Sequence, residues 1–280
     1  MASRPAPRRI VGIDFSGARD AGRLIWIAEG LRDADALRLV SCQPASALPG
    51  GGSEREPALA ALVAHIATLG DALVGIDVPF GIPESMFPTP VRDWRGFLER
   101  FSACWPSPET FRAGCRAATP GRKAKRDTDR EAATPFAPHN VRIYRMTWHG
   151  IAALLAPLVL TGRAAAVPMQ EPAPGRPTLL EVCPASLLKR GGEGLDKGYK
   201  GRASAHRAKR QTIIAWLVAG GHLHPPPPAQ ERLILDNSGG DALDAVIAAI
   251  IAMAASADPA NLRPRADRER ADRLEARVYF

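Results

Sequence analysis

Val11-Gly-Ile-Asp14 and Val74-Gly-Ile-Asp77 are near copies of one another. Each closes a short apolar run and places an acid just before a turn signal, a pattern typical of the end of a buried β-strand. A single carboxylate at such a place most often caps the following turn. Two of them on neighbouring parallel strands would instead meet at the carboxyl edge of the sheet, where α/β folds place their ligands.

The residues around these two runs predict a mixed sheet. Runs over 24–28 and 36–41 follow the first strand at strand length, with no helical pattern between them, and this predicts an antiparallel meander. A helical pattern over 59–69 then leads into the strand that ends at Asp77, and a strand–helix–strand unit favours a parallel crossover. We therefore expect an α/β fold with three antiparallel strands, then parallel strands, flanked by helices. A further strand is predicted over 178–184, with helices over 207–219 and 241–255.

Two segments depart from this order. Residues 84–175 are rich in proline, arginine and aromatic residues and hold one helix-like piece, 151–160. Because the segment leaves the fourth strand directly after Asp77, we expect a large insertion that covers the acids as a partly mobile lid. Residues 257–280 are predicted to be a charged, solvated tail. The whole chain, 1–280, is thus expected to be one domain.

The last strong helix, predicted over 241–255, carries two more acids. Asp241 and Asp244 are three residues apart and share one side of its first turn. An alanine face lets such a helix lie close to a sheet, so Asp241 is expected to point at the sheet and Asp244 to lie at the rim. The same pattern is also that of an ordinary helix start, where acids are favoured by the dipole. The alanines are Ala242, Ala245, Ala248, Ala249 and Ala252.

These acids predict a metal site. Packed carboxylates repel one another unless a cation lies between them, and hard oxygen ligands suit Mg²⁺ or Mn²⁺. Two such ions about 4 Å apart can activate water and stabilise the leaving oxygen in phosphodiester cleavage. Glu181, on a third strand, is a further catalytic candidate as a ligand or base, and pairing with an arginine is its alternative. The predicted metal ligands are Asp14, Asp77, Asp241 and Asp244.

Composition limits the classes of protein that remain. The chain has 280 residues, 46% of them hydrophobic, and a net charge of +8, which suits a polyanionic partner such as DNA or RNA. Arginine as an ordinary surface cation explains that charge equally well. The four cysteines form no C-x-x-C pair, which argues against a zinc site or a disulfide framework. No apolar stretch reaches the roughly 20 residues that span a bilayer. We expect a cytoplasmic protein without a membrane anchor.

Five short motifs, in order along the chain, resemble a known family. They are similar to a family of domains of unknown function described as predicted ribonuclease-H-like nucleases. The resemblance implies a ribonuclease-H-like fold over roughly residues 10–255 and carries the family's acid positions onto Asp14, Asp77, Glu181, Asp241 and Asp244. The motifs are Gly-Ile-Asp-Phe-Ser-Gly (12–17), Gly-Ile-Asp-Val-Pro-Phe-Gly (75–81), Leu-Glu-Val-Cys-Pro-Ala (180–185), Tyr-Lys-Gly (199–201) and Asp-Ala-Leu-Asp-Ala (241–245).

The placement of the acids also resembles the Holliday-junction resolvases within the same superfold. Those proteins have an acid on the first strand, one on the fourth, and an Asp-x-x-Asp pair on the last helix. Their fourth-strand acid is typically glutamate, whereas this chain has the shorter Asp77. The resemblance therefore implies the same set of ligands with an altered reach at one position.

Four residues are candidates for substrate binding. Ser16 follows the first strand in a turn that could cradle a phosphate. Arg126 lies in the basic run 121–130, in an Arg-x-x-Asp stretch that resembles one in the family, although a solvated loop explains the run as well. Tyr199 and Lys200 could offer a stacking ring and a cation to a nucleotide, with a surface aromatic beside a lysine as the alternative.

Three functions are consistent with these residues. The first is a metal-dependent nuclease that hydrolyses phosphodiester bonds in DNA or RNA. The second is an ATP-dependent phosphotransferase of the actin-like or sugar-kinase kind, which duplicates its fold and for which this chain has room for only one half. The third is a non-catalytic nucleic-acid-binding module that keeps its acids for structure. The sequence does not indicate the substrate or the oligomeric state.

Overall fold

A seven-stranded mixed sheet organises the computed structural model, which describes residues 9–87, 90–120 and 124–280. The strands form where apolar residues alternate or run continuously between turn residues. Their bounds are β1 (Arg9–Asp14), β2 (Trp26–Asp33), β3 (Ala36–Pro44), β4 (Leu73–Asp77), β5 (Ala165–Val167), β6 (Thr178–Val182) and β7 (Val278–Tyr279).

The strand order is β3-β2-β1-β4-β6-β5, with β7 also paired to β6. The pairs β1–β2 and β2–β3 are antiparallel, and the remaining pairs are parallel. The predicted mixed sheet, antiparallel first and then parallel, is confirmed. The short strands β5 and β7 follow one another along the same side of β6, so that the last residues of the chain complete the edge of the sheet.

Helices cover both faces of the sheet. Among the described residues no single helix is long and apolar enough to cross a membrane; α10 and α11 reach that length and composition only as a pair, bent by 120°. A π-helical stretch, Gly150–Leu155, joins α6 to α7. The helices are α1 (Ala21–Leu24), α2 (Arg55–Ala67), α3 (Trp94–Cys104), α4 (Pro108–Ala118), α5 (Asp127–Glu131), α6 (Tyr144–His149), α7 (Ala156–Leu160), α8 (Pro184–Gly191), α9 (Ser204–Ala219), α10 (Pro228–Asp236), α11 (Asp241–Ala255) and α12 (Glu269–Leu274).

Successive side chains along each strand point to opposite faces of the sheet and pack into two separate hydrophobic cores. On β1, Val11 and Ile13 pack into the core beneath α2, α3, α4 and α7, whereas Ile10 packs into the core beneath α8 to α11. On β4, Val74 belongs to the first core and Leu73 to the second. The fold therefore has three layers, with the sheet between two layers of helices.

Helix α11 lies directly on the centre of the sheet because two glycines make room for it. Gly12 and Gly75 are register partners on β1 and β4. A Cβ atom at Gly12 would lie 2.0 Å from the carbonyl oxygen of Ala245, and one at Gly75 would lie 2.5 Å from that of Ala248. The glycine of each Gly-Ile-Asp motif thus sets the close approach of the helix that carries Asp241 and Asp244.

The segment 84–175 is more regular than its sequence predicts. It contains α3 to α7 and strand β5, in place of a single helical piece. Its apolar side chains, among them Ile151, Leu154 and Leu158, share the core of β1 and β4. Most of the segment is thus one of the two helical layers, and only part of it lies near the sheet edge, because its many aromatic residues pack into the core that it shares with the sheet.

The end of the chain also differs from the predicted solvated tail. Residues 257–280 add helix α12 and strand β7, and Val278 and Tyr279 are buried. Asp272 is buried and paired with Arg265 at 2.7 Å. Arginines of this segment also pair with acids elsewhere in the chain, namely Glu84, Asp127 and Glu131, so that its charges tie the returning strand β7 to the rest of the fold.

Candidate active site

A pocket of about 350 Å³ opens at the carboxyl ends of β1, β4 and β6. Asp14 and Asp77 line it side by side, because the two aspartates are register partners on adjacent parallel strands. Each is two residues beyond its glycine, so both carboxylates lie on the α11 side of the sheet. Repetition of the motif on neighbouring parallel strands thus brings the two acids to one edge.

The first turn of α11 brings Asp241 and Asp244 to the same pocket. We call Asp14, Asp77, Asp241 and Asp244 the carboxylate cluster. Asp244 is only 2% exposed, whereas Asp241 is partly exposed, so the predicted order of centre and rim is reversed. Asp244 lies one turn before Ala248, which rests on Gly75, and it is therefore held over the sheet. Asp241 begins the helix and lies further out.

Tyr199 and Lys200 both contact Asp244. The Tyr199 hydroxyl donates to the Asp244 carboxylate at 3.0 Å, and the Lys200 Nζ atom lies 2.7 Å from Asp244 Oδ2. Tyr199 is buried, so it does not offer the exposed stacking ring that its sequence position suggested. Lys200 is different, because 52% of its side chain remains exposed.

The loop that carries these two residues is fitted to the start of α11. The backbone N–H of Gly201 donates to the carbonyl oxygen of Ser238 at 2.7 Å. Gly240 has a φ of +81°, which favours glycine, and a Cβ atom there would lie 2.9 Å from the Tyr199 ring. The Tyr-Lys-Gly loop (199–201) and the Gly-Gly-Asp run (239–241) therefore pack against each other. This contact places the ammonium group of Lys200 beside Asp244.

Too little positive charge faces the carboxylate cluster. Burial and the neighbouring Asp244 carboxylate raise the pKa of Asp14 and raise the pKa of Asp77 to about 7. Burial also raises the pKa of Asp241, and at all three positions Lys200 acts in the opposite direction. Although burial opposes it, the charge of Asp244 raises the pKa of Lys200. Among the described residues, the single ammonium group of Lys200 thus faces all four carboxylates.

Glu181 lies in a different environment from the carboxylate cluster. It is paired in register with Ile76 and lies on the opposite side of the sheet from Asp77. Its carboxylate accepts hydrogen bonds from Arg126 Nη1 and from the backbone N–H of Phe80, both at 2.9 Å. Glu181 was a candidate either for a metal ligand or base or for an ion pair with an arginine. In the structure it forms the ion pair.

Arg126 is the centre of a closed network with Asp129 and Glu181, here called the Arg126 network. Its Nε and Nη2 atoms donate to Asp129, both Nη atoms donate to Glu181, and Nη1 also donates to the carbonyl oxygen of Glu275. All five N–H groups of the guanidinium are used, and the side chain is only 1% exposed. Arg126 therefore has no donor left for a substrate, and residues 121–123 of the basic run lie outside the described residues.

The pocket has an apolar wall that sequence reasoning missed. Leu24, Phe136, Ile143 and Met146 line it and remain partly exposed. The last three lie in the segment 84–175, where Phe136-x₆-Ile143-x₂-Met146 gave no periodic signal. Ser16 also lines the pocket, where its hydroxyl accepts from the backbone N–H of Ala18 at 3.3 Å. The wall places apolar surface beside the carboxylate cluster.

Cys183 lines the pocket as well but lacks the properties of a nucleophile. Burial raises the pKa of its thiol to about 12, so that it stays protonated at neutral pH. All four cysteines are free. The acid–base chemistry of the pocket thus rests on carboxylates, one tyrosine and one lysine.

The donor chemistry of the carboxylate cluster fits Mg²⁺ or Mn²⁺, because it offers only hard oxygen ligands and lacks positive charge. As the side chains stand, the described part of the chain contains no group of three or more His, Cys, Asp or Glu residues that could hold a metal ion. To hold an ion, the carboxylates would have to turn toward one another, and Lys200 Nζ would compete with the ion for Asp244 Oδ2.

Comparison with known proteins identifies the family. A family model described as "Protein of unknown function (DUF429)" matches residues 12–269, from β1 to the first residue of α12. Comparisons with curated proteins and with solved structures give no match. The matched range contains every acid of the carboxylate cluster and all of the Arg126 network. The chain therefore belongs to the DUF429 family of proteins of unknown function.

Proposed function

We propose that this chain is a metal-dependent nuclease that hydrolyses phosphodiester bonds at the carboxylate cluster. The observation that carries the proposal is the convergence of four carboxylates on one pocket, where Lys200 is the one lysine among the described lining residues; the carboxylates are those of Asp14, Asp77, Asp241 and Asp244. Buried acids kept for structure are normally paired, as those of the Arg126 network are. Acids left short of positive charge at a sheet edge favour a site that recruits cations.

A ribonuclease-H-like fold is part of this proposal. Its support is a sheet with three antiparallel strands followed by parallel ones, with acids at the ends of β1 and β4 and on a helix that crosses them. The +8 net charge supports DNA or RNA as the partner, and four free cysteines support a cytoplasmic location. The part of 84–175 that lines the pocket supports its proposed role as a lid.

The residues of the pocket divide the chemistry among them. Asp14, Asp77, Asp241 and Asp244 would hold one or two Mg²⁺ or Mn²⁺ ions, which when bound supply an activated water and stabilise the leaving oxygen. Tyr199 fixes the Asp244 carboxylate by its hydrogen bond. Lys200 is half exposed and can leave Asp244 to pair with a phosphate oxygen.

Two alternatives predict different behaviour. A phosphotransferase of the actin-like kind would need a second copy of the sheet, and the described residues form one sheet. A non-catalytic module would bind nucleic acid without consuming it and would not need divalent ions. Both alternatives are separated from the nuclease by one assay.

The test is a cleavage assay of wild type and Asp14→Asn on single-stranded, duplex and branched substrates, with Mg²⁺, Mn²⁺, Ca²⁺ or EDTA. We expect cleavage in Mg²⁺ and Mn²⁺ but not in Ca²⁺, whose looser coordination positions water and phosphate poorly. Asp14→Asn should abolish it without unfolding the protein, and the exposed Asp267→Asn is the control. Equal cleavage by wild type and Asp14→Asn would assign the activity to another site or to a contaminant.

A further inference from the structure

We propose that the pocket admits one unpaired nucleotide, with its phosphate at the carboxylate cluster and its base against the apolar wall, and does not clamp a duplex backbone. This inference rests on the proposed function, since a phosphate can approach the four acids only together with a divalent cation. It names the substrate class within that function: nucleotides at a strand end or in single-stranded nucleic acid.

The first argument is that the described residues give this pocket one cation, Lys200, that a phosphate can reach. Proteins that track a nucleic-acid backbone do so with free lysines and arginines along a groove. The described residues that line this pocket include two cations, Arg126 and Lys200. Arg126 uses all of its donors within the protein, whereas Lys200 can leave Asp244 to pair with one phosphate. A second or third phosphate would therefore find no partner among the described residues that line the pocket.

The second argument is the chemistry of the opposite wall. Leu24, Phe136, Ile143 and Met146 keep apolar surface exposed inside the pocket. Apolar side chains in a pocket are normally covered by an apolar ligand surface, and a nucleobase offers a flat one that stacks on aromatic rings. Paired bases hide these faces within the helix stack, so the wall favours a base that is not stacked in a duplex.

The third argument is size. A pocket of about 350 Å³ lies near the lower end of the roughly 300–1,000 Å³ typical of small-molecule sites. It has room for one nucleotide but not for the width of a double helix. Charge, apolar surface and volume thus agree on the same ligand.

The experiment compares three substrates of related sequence in Mn²⁺: a dinucleotide, a longer single strand and a blunt duplex. We expect the dinucleotide and the single strand to have kcat/KM values within about tenfold of one another, because both fill the same subsite. The duplex should be cleaved about 100-fold less well, because a base must first leave the stack. The dependence of KM on salt should correspond to about one phosphate contact.

Variants of the wall sharpen the comparison. Phe136→Ala should raise KM for the single strand about tenfold and change kcat little, because it removes a stacking surface and leaves the acids in place. Ile143→Trp should fill the pocket and lower kcat/KM for all three substrates. Val141→Ala is the matched control, since Val141 belongs to the same segment, is 60% exposed and does not line the pocket.

The binding of the same oligonucleotides in Ca²⁺, measured by fluorescence anisotropy, separates the two proposals. Preference for single strands in binding, without hydrolysis in any metal, would support this inference and overturn the nuclease. Hydrolysis that is fastest on duplex, or a steep dependence on salt and length, would overturn this inference and leave the nuclease in place. An unchanged KM in Phe136→Ala would likewise count against the proposed base subsite.

Discussion

Two groups of acids lie at one edge of the sheet, and they differ in the charges that face them. In the Arg126 network, two carboxylates share one guanidinium whose five N–H groups are all used. In the carboxylate cluster, four carboxylates share the ammonium group of Lys200, the one lysine that lines the pocket in the described part of the chain. Asp244 and Glu181 are equally buried, at 2% and 3% exposure, so burial alone does not separate them. Charge balance does.

The difference follows from side-chain alternation along the strands. Asp14 and Asp77 lie on the α11 side of the sheet, where the helix contributes two more acids. Glu181 lies on the other side, where the segment 84–175 contributes Arg126. A closed network stabilises the protein and has nothing left to bind, whereas an unbalanced one costs stability and can bind a cation.

The largest expected effects come from replacing one acid of the carboxylate cluster, and one of the Arg126 network, by its amide. Asp244→Asn should lower kcat/KM in Mn²⁺ by about 10⁴-fold, because it removes the central carboxylate of the cluster. The melting temperature without metal should change little, since loss of the ion pair with Lys200 offsets the loss of one of four repelling charges. Steady-state kinetics and thermal unfolding in EDTA are the two measurements.

Glu181→Gln is the matched variant for this comparison. It should leave most of the activity in the folded protein and lower the melting temperature, because Arg126 then loses one of its two buried counter-charges. If Glu181→Gln abolished cleavage and left the melting temperature unchanged, Glu181 would belong with the metal ligands, and the two groups would not differ in the way proposed.

The second-largest expected effect is the loss of stability when Arg126 is replaced. Arg126→Gln should reduce the free energy of unfolding by about 3–5 kcal/mol, because it leaves Asp129 and Glu181 buried without a cation. Arg126→Lys should not restore it, since an ammonium cannot reproduce two forked contacts. Denaturant unfolding gives the values, and the exposed pair Arg273–Glu269 supplies the control: Arg273→Gln should cost less than about 1 kcal/mol. Equal losses in the two arginine variants would contradict the network.

The parts of this site that the sequence predicts are those set by short, repeated patterns. The two Gly-Ile-Asp motifs predict parallel strands with acids at one edge, and the alanine face of α11 predicts its close approach. Both predictions depend on local periodicity, which can be read from a short stretch of sequence. The antiparallel opening of the sheet follows from strands too close in sequence for a crossover helix, although one helical turn, α1, does lie between β1 and β2.

The remaining features depend on contacts between distant residues. Whether Glu181 binds a metal or an arginine depends on the side of β6 it occupies, which the register with β4 sets. The reversed exposure of Asp241 and Asp244 depends on where α11 begins relative to the strand ends. Helix α3 is different, because its buried residues recur at helical spacing; they are Trp94, Phe97, Leu98 and Phe101. The first two features are not properties of a local window of sequence, whereas α3 is.

The third effect concerns the lysine that faces the carboxylate cluster. Lys200→Met should tighten Mn²⁺ binding about tenfold at pH 8, because the ion no longer competes with the ammonium group for Asp244. Isothermal titration calorimetry measures this without any substrate. In EDTA the same variant should melt at a lower temperature than wild type, since the four carboxylates lose their one counter-charge. Lys200→Arg keeps the charge and is the control. Weaker Mn²⁺ binding by Lys200→Met would instead show that the lysine promotes metal binding.

The smallest effect is the dependence of stability on pH without metal. The pKa of Asp77 is raised to about 7, so the folded protein holds a proton there that the unfolded chain releases near pH 4. Stability from this group is therefore fully present below about pH 4 and is lost as the pH rises through about 7.

We expect the melting temperature in EDTA to fall by a few degrees between pH 5 and pH 8, and Asp77→Asn to flatten that fall. Asp267→Asn should leave it unchanged, because that carboxylate is 78% exposed and does not line the pocket. In saturating Mn²⁺ the trend should reverse in wild type, since the metal binds the deprotonated acids and its binding grows with pH. A wild-type protein that gains stability from pH 5 to pH 8 in EDTA would show that the carboxylate cluster is as well balanced as the Arg126 network, and the contrast between the two would disappear.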